Sequence, residues 1–298
     1  MDTLALVLIA ISAVMHASWN ILLKSAGDPL RTATIGIVTA SFLLLPGAVI
    51  GWIALGQPSV AAAAWPIGIA SGVVEVAYFV FLAAAYQRGD LSLVAPLARG
   101  SAPLFAVAIG VGVLGERLAP EAWIGVALVL AGLLVVQRPW RLLRAAAKAH
   151  DRAAAGFALL TGATIVTYSA LDTVGVAQAP SWLYAAILWS TCAVGLVVVA
   201  IVRGRLRPTD VIASNGHRSP KIAIAGGILT LAGYLLVLGA LSRAPLALVA
   251  PLRESAVLLT ALWGILRLRE ATERREIATR VTGALLVLAG AAVLAVAG

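Results

Sequence analysis

Apolar runs of about 20 residues, separated by short polar segments, recur ten times along this chain of 298 residues. A helix of about 20 residues crosses the hydrocarbon core of a bilayer, because each residue adds about 1.5 Å. Only helices and closed barrels satisfy their backbone groups in lipid, and barrel strands alternate between two faces, which these evenly apolar runs do not do. The sequence therefore predicts an all-α integral membrane protein with ten transmembrane helices.

Short polar segments such as Gly27-Asp28-Pro29 and Arg88-Gly89-Asp90 mark the ends of the predicted spans. The ten spans lie near residues 3–23, 32–55, 65–86, 91–114, 119–136, 155–177, 181–202, 222–241, 246–266 and 281–297.

The composition excludes a disordered chain and an ordinary soluble enzyme. Hydrophobic residues make up 61% of the chain and charged residues 12%, about half the share of roughly 25% in soluble domains. The single cysteine, Cys192, lies within an apolar run, so no disulfide can form within the chain and no zinc-type spacing exists.

The distribution of cationic residues across the spans indicates the orientation. With ten spans, 18 of the 22 Lys and Arg residues share one side of the membrane, in linkers 137–154, 203–221 and 267–280 and at Lys24, Arg31 and Arg88. Only Arg117 and Arg243 lie on the other side, and Arg99 and Arg253 lie within spans. Because basic loops stay cytoplasmic, this bias places both termini outside. The basic loops, which account for the net charge of +9, are therefore explained as topology determinants beside anionic lipid, and no nucleic-acid partner is needed.

An internal repeat links the two halves of the chain. The sequence LVAPL at 93–97 recurs unchanged at 248–252, and segment 125–132 matches 283–290 at six of eight positions. Each copy holds five spans, and an odd number inverts the second copy in the membrane. We therefore expect two inverted five-helix repeats, a plan found in many secondary transporters. A duplicated channel or membrane enzyme is the alternative.

The chain resembles the ten-helix drug/metabolite transporter superfamily, as two tandem EamA-type repeats. The resemblance rests on the LVAPL segments that open spans four and nine, on Gly115-Glu116-Arg117 and on Gly125. In the second copy, the corresponding residues are Glu270 and Gly283. The resemblance implies an EamA-type repeat at 4–137, a basic linker at 138–154 and a second repeat at 155–297. It also implies metabolite export, often of amino acids, through a central cavity lined largely by spans one, three, four, six, eight and nine.

Members of that superfamily commonly keep both termini in the cytoplasm, which is opposite to the charge bias of this chain. Either this member is inserted in the inverted orientation, or the number of spans differs by one.

Polar residues inside the spans are the candidates for a binding site, since a charge at mid-bilayer costs about 2.5–3.5 kcal/mol. In span one, His16, Trp19 and Asn20 share one helix face. This stripe either grips a polar substrate or bonds neighbouring helices. In span three, Glu75 and Tyr78 share a face that suits a substrate ammonium or a proton.

Span four carries Arg99, whose guanidinium matches a substrate carboxylate or phosphonate. The alternative is a static pair between Glu75 and Arg99. Pro96 in span four and Pro251 in span nine break their helices at matched positions, so we predict hinges there beside the binding site.

The later spans complete the predicted binding site with Tyr168 and Asp172 in span six, Tyr234 in span eight, and Arg253 and Glu254 in span nine. The buried acids, three in number, exceed the two arginines by one. One acid should therefore be protonated or neutralised by a ligand, which predicts proton coupling with Glu75 as the carrier. Alternatively, Asp172 lies near the membrane end and is solvated.

These features together predict a secondary transporter of the inner (plasma) membrane, exporting small metabolites such as amino acids by alternating access. The expected partners are the metabolite, the lipid bilayer and protons, and the chain is expected to be a monomer. Walker A, HExxH and paired-His motifs are absent, so no catalytic residue, cofactor or metal is predicted. The alternative is an intramembrane lipid-phosphate enzyme or a flippase for a lipid-linked substrate, which would need a clustered catalytic set.

Overall fold

The computed structural model describes residues 2–24, 29–88, 91–137, 149–204, 220–254 and 274–296. Every regular element in these ranges is a helix, and there are ten of them. The helices are α1 (Thr3–Lys24), α2 (Pro29–Ala54), α3 (Ala64–Arg88), α4 (Leu91–Gly112), α5 (Pro120–Gln137), α6 (Ala149–Gly175), α7 (Ser181–Val202), α8 (Pro220–Leu241), α9 (Leu246–Arg253) and α10 (Arg274–Val296).

The predicted all-α architecture is confirmed for these ranges, with a helix at each of the ten predicted spans. Helices α6 and α10 begin at Ala149 and Arg274, earlier than the apolar runs predicted, because a helix can continue past the lipid into water. The predicted ninth span is described only as far as Glu254, the residue after the end of α9 at Arg253. Its remainder, residues 255–266, lies outside the described residues.

Six of the described helices are long and apolar enough to cross a membrane: α2, α3, α6, α7, α8 and α10. Shorter apolar stretches lie in α1, α4 and α5. Large apolar side chains such as Phe42, Ile50 and Leu285 lie exposed on the outer surface of the bundle. A surface this apolar suits hydrocarbon and would be unfavourable in water.

The largest helix contacts join the first five helices to the last five. Helix α3 packs on α6 and α7, while α8 packs on α1 and α2. Helices α2, α4 and α5 pack on α7, α9 and α10, respectively. Replacing each helix by the one five places away reproduces these pairs. Helix α4 also packs extensively on α6, whereas the corresponding contact of α1 with the described part of α9 is small. The two halves therefore interlock as one bundle.

Glycines bring the backbones of α5 and α10 together. A Cβ on Gly132 would lie 2.6 Å from the carbonyl oxygen of Gly283, and one on Gly290 would lie 2.6 Å from that of Gly125. The contact pairs 125 with 290 and 132 with 283, so the two helices run in opposite directions. Small residues of this kind allow close packing in lipid, where no hydrophobic force drives helices together.

We expect Gly132→Val to lower the free energy of unfolding by about 1–3 kcal/mol, because the added carbons would press on the α10 backbone. Gly47→Val is the matched control, since nothing lies within 4 Å of a Cβ placed on Gly47. Thermal unfolding of purified protein in detergent measures both variants. Equal melting temperatures for the two would contradict the close α5–α10 contact.

Candidate functional site

A cavity at the centre of the bundle is enclosed by six helices, α1, α3, α6, α7, α8 and α9. Its lining consists of His16, Trp19, Glu75, Tyr78, Phe79, Tyr168, Trp189, Thr230, Tyr234 and Arg253. Seven of these ten are residues that the sequence analysis selected, drawn from five different spans.

Aromatic rings form much of the wall and hold one another in edge-to-face contacts. Ring centroids lie 5.0 Å apart for Tyr78 and Phe79 and 6.0 Å apart for Tyr78 and Tyr168. The series continues through Tyr168 and Tyr234 at 5.7 Å and ends with Tyr234 and Trp189 at 5.8 Å. Such contacts favour defined ring orientations, so the wall of the cavity has a fixed shape.

Arg253 enters this wall from α9 and is almost fully buried, with 6% of its surface exposed. One terminal nitrogen, Nη2, donates to the Tyr168 hydroxyl at 3.0 Å. The guanidinium carbon lies 5.1 Å from the ring centroid of Tyr234 and 5.8 Å from that of Tyr168. These cation–π contacts stabilise a desolvated charge without consuming its hydrogen-bond donors.

Three buried polar atoms without hydrogen-bond partners belong to residues that line this cavity. They are Glu75 Oε2, Trp189 Nε1 and Arg253 Nε. Glu75 is 3% exposed, and the Cys192 thiol lies beside its carboxyl group. A buried polar atom without a partner costs about 1–3 kcal/mol, and these three atoms belong to residues of one cavity.

Asp172 does not line the cavity, although the sequence analysis placed it in the binding site. Its Oδ1 accepts hydrogen bonds from Ser71 Oγ at 2.5 Å and from Tyr184 Oη at 2.8 Å. Its Oδ2 accepts one from the Tyr234 hydroxyl. The residue is fully buried. The alternative that Asp172 is solvated near the membrane end is therefore wrong.

Arg99 on α4 forms an ion pair with Glu254, the residue that follows α9. Arg99 Nη1 lies 3.6 Å from Glu254 Oε2, and both side chains are largely buried. The alternative pair between Glu75 and Arg99 is therefore wrong. Neither Arg99 nor Glu254 lines the central cavity, because helix α9 turns Glu254 away from its neighbour Arg253.

A second, smaller cavity lies between α4, α6 and α9. Pro103, Ser169 and Glu254 are among its lining residues. Arg253 lines both cavities and stands between them.

The predicted hinge and stripe residues are described in part. The side chains of Asn20 and Pro96 lie outside the described residues, although both positions are helical. Pro251 lies inside α9, which stays helical through it to Arg253.

Sequence reasoning missed Phe79, Trp189 and Thr230. Trp189 on α7 corrects the set of lining spans implied by the family, in which span seven was absent and span four was present. None of the described α4 side chains faces the central cavity. Thr230 stands four residues before Tyr234, and this helical spacing could have identified it. Phe79 and Trp189 carry no such signal, because an aromatic in an apolar span is typical of packing.

Glu116, from the Gly115-Glu116-Arg117 motif, caps the start of α9. Its Oε1 accepts the Leu246 amide at 2.6 Å and its Oε2 accepts the Ala247 amide at 2.9 Å. A carboxylate at a helix N-terminus satisfies free amides and interacts favourably with the helix dipole. A loop of the first half thereby fixes the helix that carries Arg253 and Glu254.

We expect Glu116→Ala to lower the free energy of unfolding by about 1–2 kcal/mol, because the α9 cap is lost. Hydrogen exchange at the Leu246 and Ala247 amides should accelerate in this variant. Arg117→Ala, an exposed neighbour, is the control and should leave both amides protected. Unchanged exchange in Glu116→Ala would contradict the capping role.

Comparison with known proteins identifies the first half of the chain directly. The EamA-like transporter family matches residues 3–138. A solved structure titled "Crystal structure of protein" aligns with a TM-score of 0.73 at 18% identity, covering 100% of this chain and 99% of its own. That likeness shows a shared fold over the whole length, and 29 chains of solved structures match in all. No curated protein matches.

The resemblance drawn from the LVAPL and Gly115-Glu116-Arg117 segments is thus confirmed, in a multi-pass helical bundle. Residues 3–138 match the EamA-like transporter family, a family of membrane transporters within the drug/metabolite transporter superfamily.

Proposed function

We propose that the protein is a secondary transporter that exports small metabolites such as amino acids across the inner (plasma) membrane by alternating access. The observation that carries this proposal is that three buried atoms without hydrogen-bond partners, Glu75 Oε2, Trp189 Nε1 and Arg253 Nε, belong to residues lining one central cavity. Helices from both halves of the chain enclose this cavity. A ligand bound there would be withdrawn from both membrane surfaces and would contact both halves at once.

The chemistry of the lining supports a zwitterionic substrate. Glu75 offers an acceptor for an ammonium group, while Arg253 and Trp189 offer donors for an anionic group. The rings of Tyr78 and Tyr168 supply an apolar surface between polar groups. An amino acid carries all three features in one small molecule.

The packing supports two inverted five-helix repeats. Gly125 and Gly132 are the repeat equivalents of Gly283 and Gly290, yet Gly125 contacts Gly290 and Gly132 contacts Gly283. Each glycine of the first repeat thus contacts the equivalent of the other glycine. Such reciprocal contacts are typical of two units related by a two-fold axis. Two fused repeats supply both halves of the bundle, so we propose that a monomer is sufficient for transport.

The ion pair between Arg99 and Glu254 joins equivalent positions of the two repeats, 155 residues apart. If the repeats exchange conformations, a contact between equivalent positions maps onto itself. We therefore assign this pair to the pseudo-two-fold axis, where it persists through the transport cycle. Contacts away from the axis, such as those of α3 with α6 and α1 with α8, exchange roles and open the cavity to alternate sides.

Reversing the charges of this pair tests the equivalence of the two positions. We expect Arg99→Glu and Glu254→Arg to destabilise the protein by about 3–5 kcal/mol each, because each leaves two buried like charges. The double variant restores an ion pair in a nearly equivalent setting, so its folded yield and melting temperature should recover most of the loss. A double variant no better than the single variants would contradict the axis.

Charge balance supports proton coupling at Glu75. Arg99 and Glu254 neutralise each other, which leaves Glu75 and Asp172 against Arg253. Asp172 has three hydroxyl donors, whereas Glu75 Oε2 has no hydrogen-bond partner. Glu75 is therefore the acid best suited to exchange a proton for a substrate ammonium.

Flux into proteoliposomes tests the function. We expect saturable uptake of a member of a labelled amino-acid and aminophosphonate panel, accelerated by a proton gradient. Glu75→Gln should abolish the gradient dependence, because the amide cannot carry the proton. Glu121→Gln, an exposed acid in the first turn of α5, is the control and should transport like the wild type.

The outcomes separate the parts of the proposal. Uptake that ignores the gradient in the wild type would reject coupling and leave a facilitator. The absence of uptake for every compound, with folded protein in the vesicles, would reject the zwitterionic substrate.

A further inference from the structure

Asp172 stands behind the cavity wall at the meeting point of four helices. It projects from α6 and accepts hydrogen bonds from Ser71 on α3, Tyr184 on α7 and Tyr234 on α8. We infer that Asp172 is a positioning residue, which fixes Tyr234 from behind so that Tyr234 and Tyr168 hold Arg253 ready for the anionic group of the substrate. The inference rests on the proposed transport function and deepens it.

The oxygens of Asp172 are committed to the protein. Oδ1 accepts from Ser71 and Tyr184, and Oδ2 accepts from Tyr234. Three hydroxyl donors can stabilise a buried carboxylate without a cation beside it. Since Asp172 is fully buried and does not line the cavity, a substrate in the cavity meets Tyr234 before it meets this carboxylate.

Tyr234 transmits this constraint to the cavity. Its hydroxyl is bound to Asp172, and its ring lies in the wall between Tyr168 and Trp189, at 5.7 Å and 5.8 Å. The Arg253 guanidinium carbon lies 5.1 Å from the centroid of this ring. Rotation of the Tyr234 side chain about χ1 would break the hydrogen bond to Asp172 and remove part of the surface on which Arg253 lies.

Arg253 is held on two sides and still has a donor to offer. Tyr168 accepts its Nη2 at 3.0 Å, and Tyr234 lies against its guanidinium. Its Nε is buried and has no hydrogen-bond partner. Trp189 Nε1 is a second donor of this kind in the same cavity. The cationic Arg253 and the neutral Trp189 thus each provide a donor in one cavity, and this pair suits a carboxylate or phosphonate oxygen.

Three possible roles of Asp172, as a direct contact of the substrate, as a positioning residue or as a structural residue, predict different effects on ligand binding. If Asp172 bound the substrate ammonium directly, its loss would weaken every ligand that carries an amine. If it positions Arg253 through Tyr234, its loss weakens ligands that carry an acid and spares the amines. A residue with a purely structural role would affect both classes alike.

Binding to the full-length protein in detergent separates these cases with three related probes. The probes are L-phenylalanine, phenethylamine, which lacks the carboxylate, and 3-phenylpropionate, which lacks the amine. The variants are Asp172→Asn and Tyr234→Phe, singly and together. Tyr86→Phe is the matched control, because Tyr86 is a partly buried tyrosine of α3 that lines neither cavity. Thermal unfolding verifies that each variant is folded.

We expect Kd for L-phenylalanine and 3-phenylpropionate to rise about tenfold in Asp172→Asn and in Tyr234→Phe, while Kd for phenethylamine stays within about twofold. The double variant should bind no more weakly than either single variant, because both act through one hydrogen bond. If Asp172→Asn fails to fold, Tyr234→Phe tests the same step, since it keeps the ring and removes only the hydroxyl.

An equal or larger loss for phenethylamine would overturn the inference and make Asp172 a direct contact of the amine. Equal losses for all three probes, or none, would also overturn it. Wild-type protein that binds none of the three would instead reject the zwitterion-binding cavity of the proposed function, and the inference with it.

Discussion

Hydrocarbon offers no hydrogen bonds, and this single constraint organises the interior of the bundle. A buried polar side chain must find its partner in the protein or in a ligand, since leaving it without one costs about 1–3 kcal/mol. Asp172 collects three hydroxyls and Arg99 pairs with Glu254, so these groups are satisfied within the fold. Glu75 Oε2 and Arg253 Nε are not, and both belong to the central cavity.

The lipid environment also determines how the helices of the two halves pack against one another. Lipid tails are as apolar as the helices, so close contact and not the hydrophobic effect must hold the helices together. Glycine contacts such as Gly132 with Gly283 bring α5 and α10 into backbone contact, and Glu116 caps α9 from the other half. The polar groups around the cavity therefore derive their positions from both halves at once.

The sequence predicts the helices well and their partners poorly, for a physical reason. Hydropathy fixes which segments cross the bilayer, because length and apolar character alone decide that cost. It does not contain the rotation of each helix about its axis, which decides which side chains meet. Glu75 and Arg99 lay in neighbouring spans and were natural partners by charge, yet Arg99 meets Glu254. Trp189 gave no polar signal, although it lines the cavity and its buried indole nitrogen has no hydrogen-bond partner.

Adjacent residues on α9 show how one helical turn can combine a fixed contact with a ligand-facing one. Glu254 pairs with Arg99 at the proposed axis, while Arg253, turned about 100° around the helix, enters the aromatic wall. Their spacing along the helix is rigid, so any rotation of α9 that preserved the ion pair would still move Arg253 relative to Tyr168 and Tyr234. A ligand that binds Arg253 would thus act on the same helix that meets the other half at the proposed axis. Helix α9 would therefore couple substrate binding to the exchange of conformations between the repeats.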